Sequence, residues 1–133
     1  MMTEEIRELV KYRMEQADDA VLEAEALLGQ GLLRGCVNRA YYAMFYAVLA
    51  LLATKELGTS KHSAAISLFD REFIRDGSLS KELSKWIHEA FEKRLKFDYG
   101  AMVEVASEDA NRLVQEARDF AAAVKAYLSQ VEP

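Results

Sequence analysis

Cysteine and proline are almost missing from this chain of 133 residues, which has one of each, Cys36 and Pro133. A single cysteine closes no internal disulfide and builds no thiolate metal site. A proline confined to the last position leaves the interior free of the residue that most strongly breaks helices. The six glycines and the absence of low-complexity tracts exclude collagen-like and linker-rich chains. Histidine is scarce too, with only His62 and His88. The longest uncharged run, residues 40–54, falls short of the ~20 residues that a membrane helix needs. Residues 1–10 are charged and amphipathic, unlike a secretory leader. The expectation is a protein of the cytoplasm without a membrane segment.

Apolar residues make up 51% of the chain and charged ones 29%, a balance that suits one helical domain spanning residues 1–133. The net charge of −5 argues against electrostatic coating of nucleic acid. The charge is nonetheless uneven. Residues 1–53 hold five Lys/Arg against eight Asp/Glu and residues 101–133 three against six, whereas residues 54–100 hold nine against eight. An anionic ligand would favour the middle of the chain.

Period and punctuation predict an all-α, up-and-down bundle of about five helices. The first spans residues 4–28, with Thr3 as cap and Ile6, Val10, Ala17, Val21, Ala24 and Leu28 on one stripe. Gly29-Gln30-Gly31 forces a hairpin into a second helix, residues 32–57, which is apolar around most of its circumference after Arg39. The third spans residues 61–75, with Ala65, Leu68, Phe69 and Phe73 inward. The fourth runs from 78 or 80 to 97 or 99, with Leu83, Ile87, Ala90, Phe91 and Leu95 inward. The fifth spans residues 107–130, capped by Ser107, its stripe being Leu113, Ala117, Phe120, Val124, Tyr127 and Val131.

The chemistry concentrates in residues 38–46, Asn-Arg-Ala-Tyr-Tyr-Ala-Met-Phe-Tyr. A guanidinium inside an apolar segment has to be paired, hydrated or aimed at a ligand, because an isolated buried charge is too costly. Seven helical residues advance about 10.5 Å and return to nearly the same angle. Arg39, Tyr42, Ala43 and Tyr46 therefore share a stripe, while Tyr41, Phe45, Val48 and Leu52 share a neighbouring one that suits a core. Arg grips phosphate through two parallel hydrogen bonds and stacks on aromatic planes. Asn38 can orient Arg39 or meet a ligand. The aromatic cluster is more often core or dimer contact than a base-stacking platform.

Several enzyme classes lack their residues here. Gly29, Gly31 and Gly35 are not followed by the Lys-Ser/Thr of a phosphate loop. His88-Glu89-Ala90-Phe91-Glu92 ends in Glu where a zinc protease needs His. No Glu precedes a histidine by three, as a di-iron bundle requires, and no Ser-centred nucleophile elbow is present. Neither a metal nor a cofactor is expected.

Residues 38–46, Lys61-His62-Ser63, and Arg94-Leu95-Lys96-Phe97-Asp98-Tyr99 together resemble the HEPN-domain family, in particular its small prokaryotic UPF0332 type, over nearly the whole chain. The resemblance implies a helical bundle, often a homodimer, frequently partnered by a minimal nucleotidyltransferase in a toxin–antitoxin-like pair. Active members are metal-independent ribonucleases that use an Arg followed, after four to six residues, by His, with the pairs of two protomers forming the cleft. Arg39 matches the Arg. The positions that follow at that spacing are Met44, Phe45 and Tyr46, and none is His. Cleavage without metal needs a proton acceptor and donor near neutral pH, which suits His, whereas Tyr has a reference pKa of about 10.

The expected function is therefore a HEPN-type protein associated with nucleotide or RNA, the non-enzymatic partner of a nucleotidyltransferase, with a phosphate pocket of Asn38, Arg39, Tyr42 and Tyr46. A homodimer through the second and fourth helices is expected with it. One alternative is an active ribonuclease toxin in which Arg39 is catalytic and Tyr46 or a distant histidine replaces the missing one. Another is an assembly module in which Arg39 is only a structural pair, with Asp98 or helix-end carbonyls. The secondary candidates are His62, His88, Arg94 and Asp98. An exposed or boundary role is favoured for each histidine, with His62 expected near the surface. For Arg94 and Asp98, four apart on one face, a structural ion pair is favoured over a place beside Arg39.

Overall fold

The computed structural model describes residues 2–98 and 104–131, without the side chain of Asp98; Tyr99, the end of the third motif, lies outside the described residues. These residues are helical: α1 (Glu4–Gly29), α2 (Leu33–Thr54), α3 (His62–Phe69) running into a π turn (Asp70–Ile74), α4 (Lys81–Asp98) and α5 (Ser107–Val131). Among the described residues the architecture is an all-α bundle of five helices, as the periodicity indicates.

The hairpin of α1 and α2 follows from its caps. The Thr3 hydroxyl accepts from the Ile6 N–H at 3.2 Å, and Glu4 and Glu5 sit at the positive end of the helix dipole. At the other end Gly31 takes a φ of 74°, and the Leu32 N–H reaches back to the Leu27 carbonyl at 2.9 Å. A Cβ on Gly35 would lie 3.2 Å from Leu27 Cδ1, so glycine is what lets the start of α2 approach α1 this closely.

α2 is the axis of the bundle and packs against α1, α3, α4 and α5. Tyr41, Met44, Val48, Leu51 and Leu52 are fully buried, each large apolar side chain contributing roughly 1.5–3 kcal/mol. Taken as a helix rather than as an uncharged run, Leu33–Thr54 is long and apolar enough to cross a membrane, but it is 72% buried within the bundle. Its all-round apolarity is thus accounted for inside one protomer, without a dimer. It also ends earlier than residue 57. Glu56 adopts a left-handed φ of 55°, and the Leu57 N–H closes onto the Leu52 carbonyl at 2.9 Å. Glu56 turns the chain here.

The segment expected as one helix over residues 61–75 changes geometry midway. After Phe69 the backbone widens to a π turn, closed by the Arg75 N–H on the Asp70 carbonyl at 2.9 Å. Phe69 packs on Phe120 (5.7 Å between centroids) and Phe73 on Tyr127 (5.7 Å), fixing this segment against α5. Asp76 and Gly77 (φ 81°) make the next turn, where the Asp76 carboxylate accepts from the Ser78 N–H at 2.9 Å. The Ser80 hydroxyl then accepts from the Glu82 N–H at 3.2 Å, so of the two serines considered it is Ser80 that starts α4. In α5 the Ala110 N–H bonds the Ala106 carbonyl at 3.1 Å, which makes Ser107 the first helical residue and not its cap. Leu113, Ala117, Phe120 and Val124 are buried as their stripe predicts, but Val131 in the last turn is exposed.

Candidate functional site, an aromatic cluster with two arginines and a histidine

Arg39 leaves the apolar part of α2 at its first exposed edge. Its side chain is 27% exposed, and Nη1 lies 3.2 Å from Glu23 Oε1 on α1. It is therefore neither a buried charge nor a group without a partner. The partner is Glu23, a residue that no motif marks. The guanidinium also stacks over the Tyr42 ring, 4.9 Å from its centroid. A pair this open is worth about 0.2–1 kcal/mol, so structure alone exacts little from Arg39.

Tyr42 gathers the rest. Its ring lies 5.7 Å from Tyr46, 5.7 Å from the edge-on His62 ring and 5.2 Å from the Arg94 guanidinium. Two cations brought by α2 and α4 thus share one aromatic ring. Arg94 also lies over Tyr41, at 5.4 Å. The structure places Arg94 over the ring that Arg39 also covers. The side chain of Asp98, its expected partner, lies outside the described residues.

His62, expected near the surface, is instead half-buried in the cluster. Helix α3 begins at this residue, and packing of α3 on α2 lays the imidazole flat on Phe45 at 4.1 Å and an interplanar angle of 5°. The Tyr41 hydroxyl is 2.7 Å from His62 Nδ1, and Arg94 Nη1 is 3.3 Å from the same nitrogen. A guanidinium only donates, so Nδ1 is the acceptor and the remaining N–H is on Nε2. Burial first, then the charge of Arg94, hold the imidazole below its ordinary pKa, which keeps it uncharged. Tyr41 is fully buried, and that burial pushes its phenol well above the usual range, so it stays a donor.

The remaining candidates fall on either side. Asn38 and Tyr46 are half-buried on α2, Tyr46 inside the aromatic group through Tyr42 and Asn38 in the position before Arg39. His88 is in a different place. It is half-exposed, with Nε2 2.7 Å from Asp70 Oδ2, while the Ser84 hydroxyl donates to Asp70 Oδ1 at 2.7 Å. Besides Glu23, sequence reasoning missed the polar role of Tyr41, whose helical phase marks only core, and the stacking role of Phe45. Asp70 and Ser84, fourteen residues apart, carry no spacing signal.

Chemically, the cluster offers two guanidiniums, the phenols of Tyr42 and Tyr46 and one neutral N–H donor at His62 Nε2. That is a set for holding an anion. It lacks an uncommitted imidazole lone pair for taking a proton, since His62 Nδ1 already accepts from two donors.

Such a bundle, with an arginine and aromatic residues along its central helix, matches the HEPN domain model over residues 10–127. The chain belongs to the HEPN-domain family. Among its relatives is a UPF0332 protein of Thermotoga maritima, 36% identical over 96% of this chain and 97% of the relative. Two proteins of Methanocaldococcus jannaschii, both provisionally designated toxins, are 38% identical over 92% of this chain and 82% of the relative, and 30% identical over 98% and 97%.

Proposed function

We propose that this HEPN protein binds the phosphate of a nucleotide or RNA at the Arg39–Tyr42–Arg94 cluster, and that it does so without cleaving it. The observation that carries this is the pair of guanidiniums stacked 4.9 and 5.2 Å from one ring. Both guanidiniums border this ring as donors for an anion, and the exposed Glu23 is displaced from Arg39 at little cost. His62 completes the pocket as a neutral donor. Its committed Nδ1 is the reason to favour binding over catalysis.

Fluorescence anisotropy with a short labelled single-stranded RNA tests this. Wild type binds with a salt-dependent Kd, and Arg39→Ala weakens binding by about tenfold or more, the value of one hydrogen bond to a charged group. Equal Kd values for the two proteins would contradict it. As physiological setting we propose a toxin–antitoxin-like pair with a nucleotidyltransferase, the HEPN protein acting as a homodimer. Affinity capture from the native host and light scattering are the tests. Recovery of no nucleotidyltransferase would count against the pair, and a monomer at micromolar concentration against the dimer.

Two observations favour a second reading, an active ribonuclease. His62 arrives from α3 in the cluster where the expected motif histidine is missing, and two relatives carry a toxin designation. Arg39-dependent shortening of the same RNA on a gel would establish it.

A further inference from the structure

A second polar group lies beside the aromatic cluster. Ser63, Ile66 and Ser67 of α3 and His88 and Phe91 of α4 line a cavity of about 160 Å³. It adjoins the aromatic cluster. Phe91 lies 5.8 Å from Tyr41, and Ser63 follows His62 directly in α3. Along α4, Phe91 and Arg94 are separated by about 4.5 Å of helical rise. Two features give the cavity a built character. The Asp70 carboxylate, set at the head of the π turn, accepts from Ser84 at 2.7 Å and from His88 Nε2 at 2.7 Å, so both of its oxygens are used in holding α4 and the imidazole. The floor is apolar and aromatic, with Ile66 and Phe91, while Ser63, Ser67 and His88 supply polar atoms at the rim.

We propose that this cavity is a nucleobase subsite, taking the base of the nucleotide whose phosphate sits at Arg94, Arg39 and His62. The proposal rests on the nucleotide-binding reading above. Phe91 provides the aromatic surface for the base. The two serine hydroxyls donate or accept as the base edge requires. His88 sets the preference. In the tautomer that gives its Nε2–H to Asp70, the ring presents Nδ1 as an acceptor. A base carrying an exocyclic amine satisfies that acceptor, whereas a carbonyl in the same place faces it lone pair to lone pair. Cytosine is therefore favoured over uracil.

The experiment is titration calorimetry of the whole protein at pH 8 with CMP, UMP and ribose 5-phosphate. CMP is expected to bind about three- to tenfold more tightly than UMP, the worth of one hydrogen bond, and more than about tenfold more tightly than ribose 5-phosphate, which lacks the stacking as well. Phe91→Leu and His88→Ala each bring CMP down toward ribose 5-phosphate while leaving ribose 5-phosphate unchanged. Equal affinities of all three ligands for wild type, or a CMP preference that survives both substitutions, would overturn the subsite. Failure of the phosphate reading looks different, since ribose 5-phosphate then shows no binding that Arg39→Ala removes. A cytosine preference that is lost in Phe91→Leu and His88→Ala but indifferent to Arg39 supports the subsite and overturns only the phosphate assignment. No binding of any ligand overturns both.

Discussion

The fully buried Tyr41 places its hydroxyl 2.7 Å from Nδ1 of His62, joining the central helix to the first residue of α3. This bond decides which nitrogen of the histidine carries its proton. It also ties the folding of the α3 start to the electrostatics of the cluster.

Tyr41→Phe keeps the buried ring and removes the donor. Stability is expected to fall by about 0.5–1.5 kcal/mol in urea melts, the net worth of a typical hydrogen bond. The His62 pKa should rise, because the lost bond stabilised the uncharged ring. An NMR titration of the two histidines reads this directly. A His62 titration that does not move upward would remove Tyr41 from its positioning role.

The pH dependence has a definite sign. The His62 pKa is lowered in the folded protein by burial and by Arg94, while the unfolded chain titrates near the ordinary value of about 6.5. Between the two values the unfolded state binds more protons, so stability rises with pH across that window. His62 thus contributes fully above pH 6.5, and its contribution is lost as pH falls through the lower, folded pKa. Thermal melts of wild type and His62→Gln from pH 7.5 to 5 should converge on acidification. Parallel curves would show that His62 is not held uncharged by the fold.

Arg39 and Glu23 separate structure from ligand binding. Glu23→Gln leaves stability within about 1 kcal/mol of wild type, since the pair is largely solvated. It should tighten phosphate binding several-fold by removing the carboxylate that competes for Arg39. A loss of several kcal/mol on Glu23→Gln or Arg39→Ala, with anion binding unchanged, would make the pair structural and nothing more.

Glu56 stands exposed in the left-handed region at φ 55°. That conformation costs an L-residue roughly 1–2 kcal/mol, while glycine adopts it freely at some entropic cost in the unfolded chain. Glu56→Gly is expected to be neutral or to stabilise by up to about 1 kcal/mol, and Glu56→Val to destabilise. A clear loss on the glycine change would mean that the Glu56 side chain makes a contribution its geometry does not display.

Helix number, order and inward stripes were legible because burial follows a 3.6-residue period and because Thr3, Gly31 and Ser80 end elements by local chemistry. The π turn was not, since Phe69 and Phe73 keep helical spacing on either side of the change in backbone geometry. In the site, Arg39, Tyr42 and Tyr46 were readable as one stripe of one helix. The neighbourhood of His62 was not, since it depends on how α3 and α4 lean on α2. A histidine at a helix start after Gly58-Thr59-Ser60 looks like a surface residue until three aromatic rings close around it. Glu23 was hidden for the same reason, sixteen residues away on another helix.

The central claim is that Arg39 and Arg94 act on one anion, and a double-mutant cycle on RNA binding tests it most directly. Kd is measured by anisotropy for wild type, Arg39→Ala, Arg94→Gln and the double variant, with melts to show that each is folded. The account predicts that each single change weakens binding by about tenfold or more and that the double change costs less than the two combined, a coupling above roughly 0.5 kcal/mol. Losses that simply multiply, or an RNA affinity indifferent to both arginines, would contradict it.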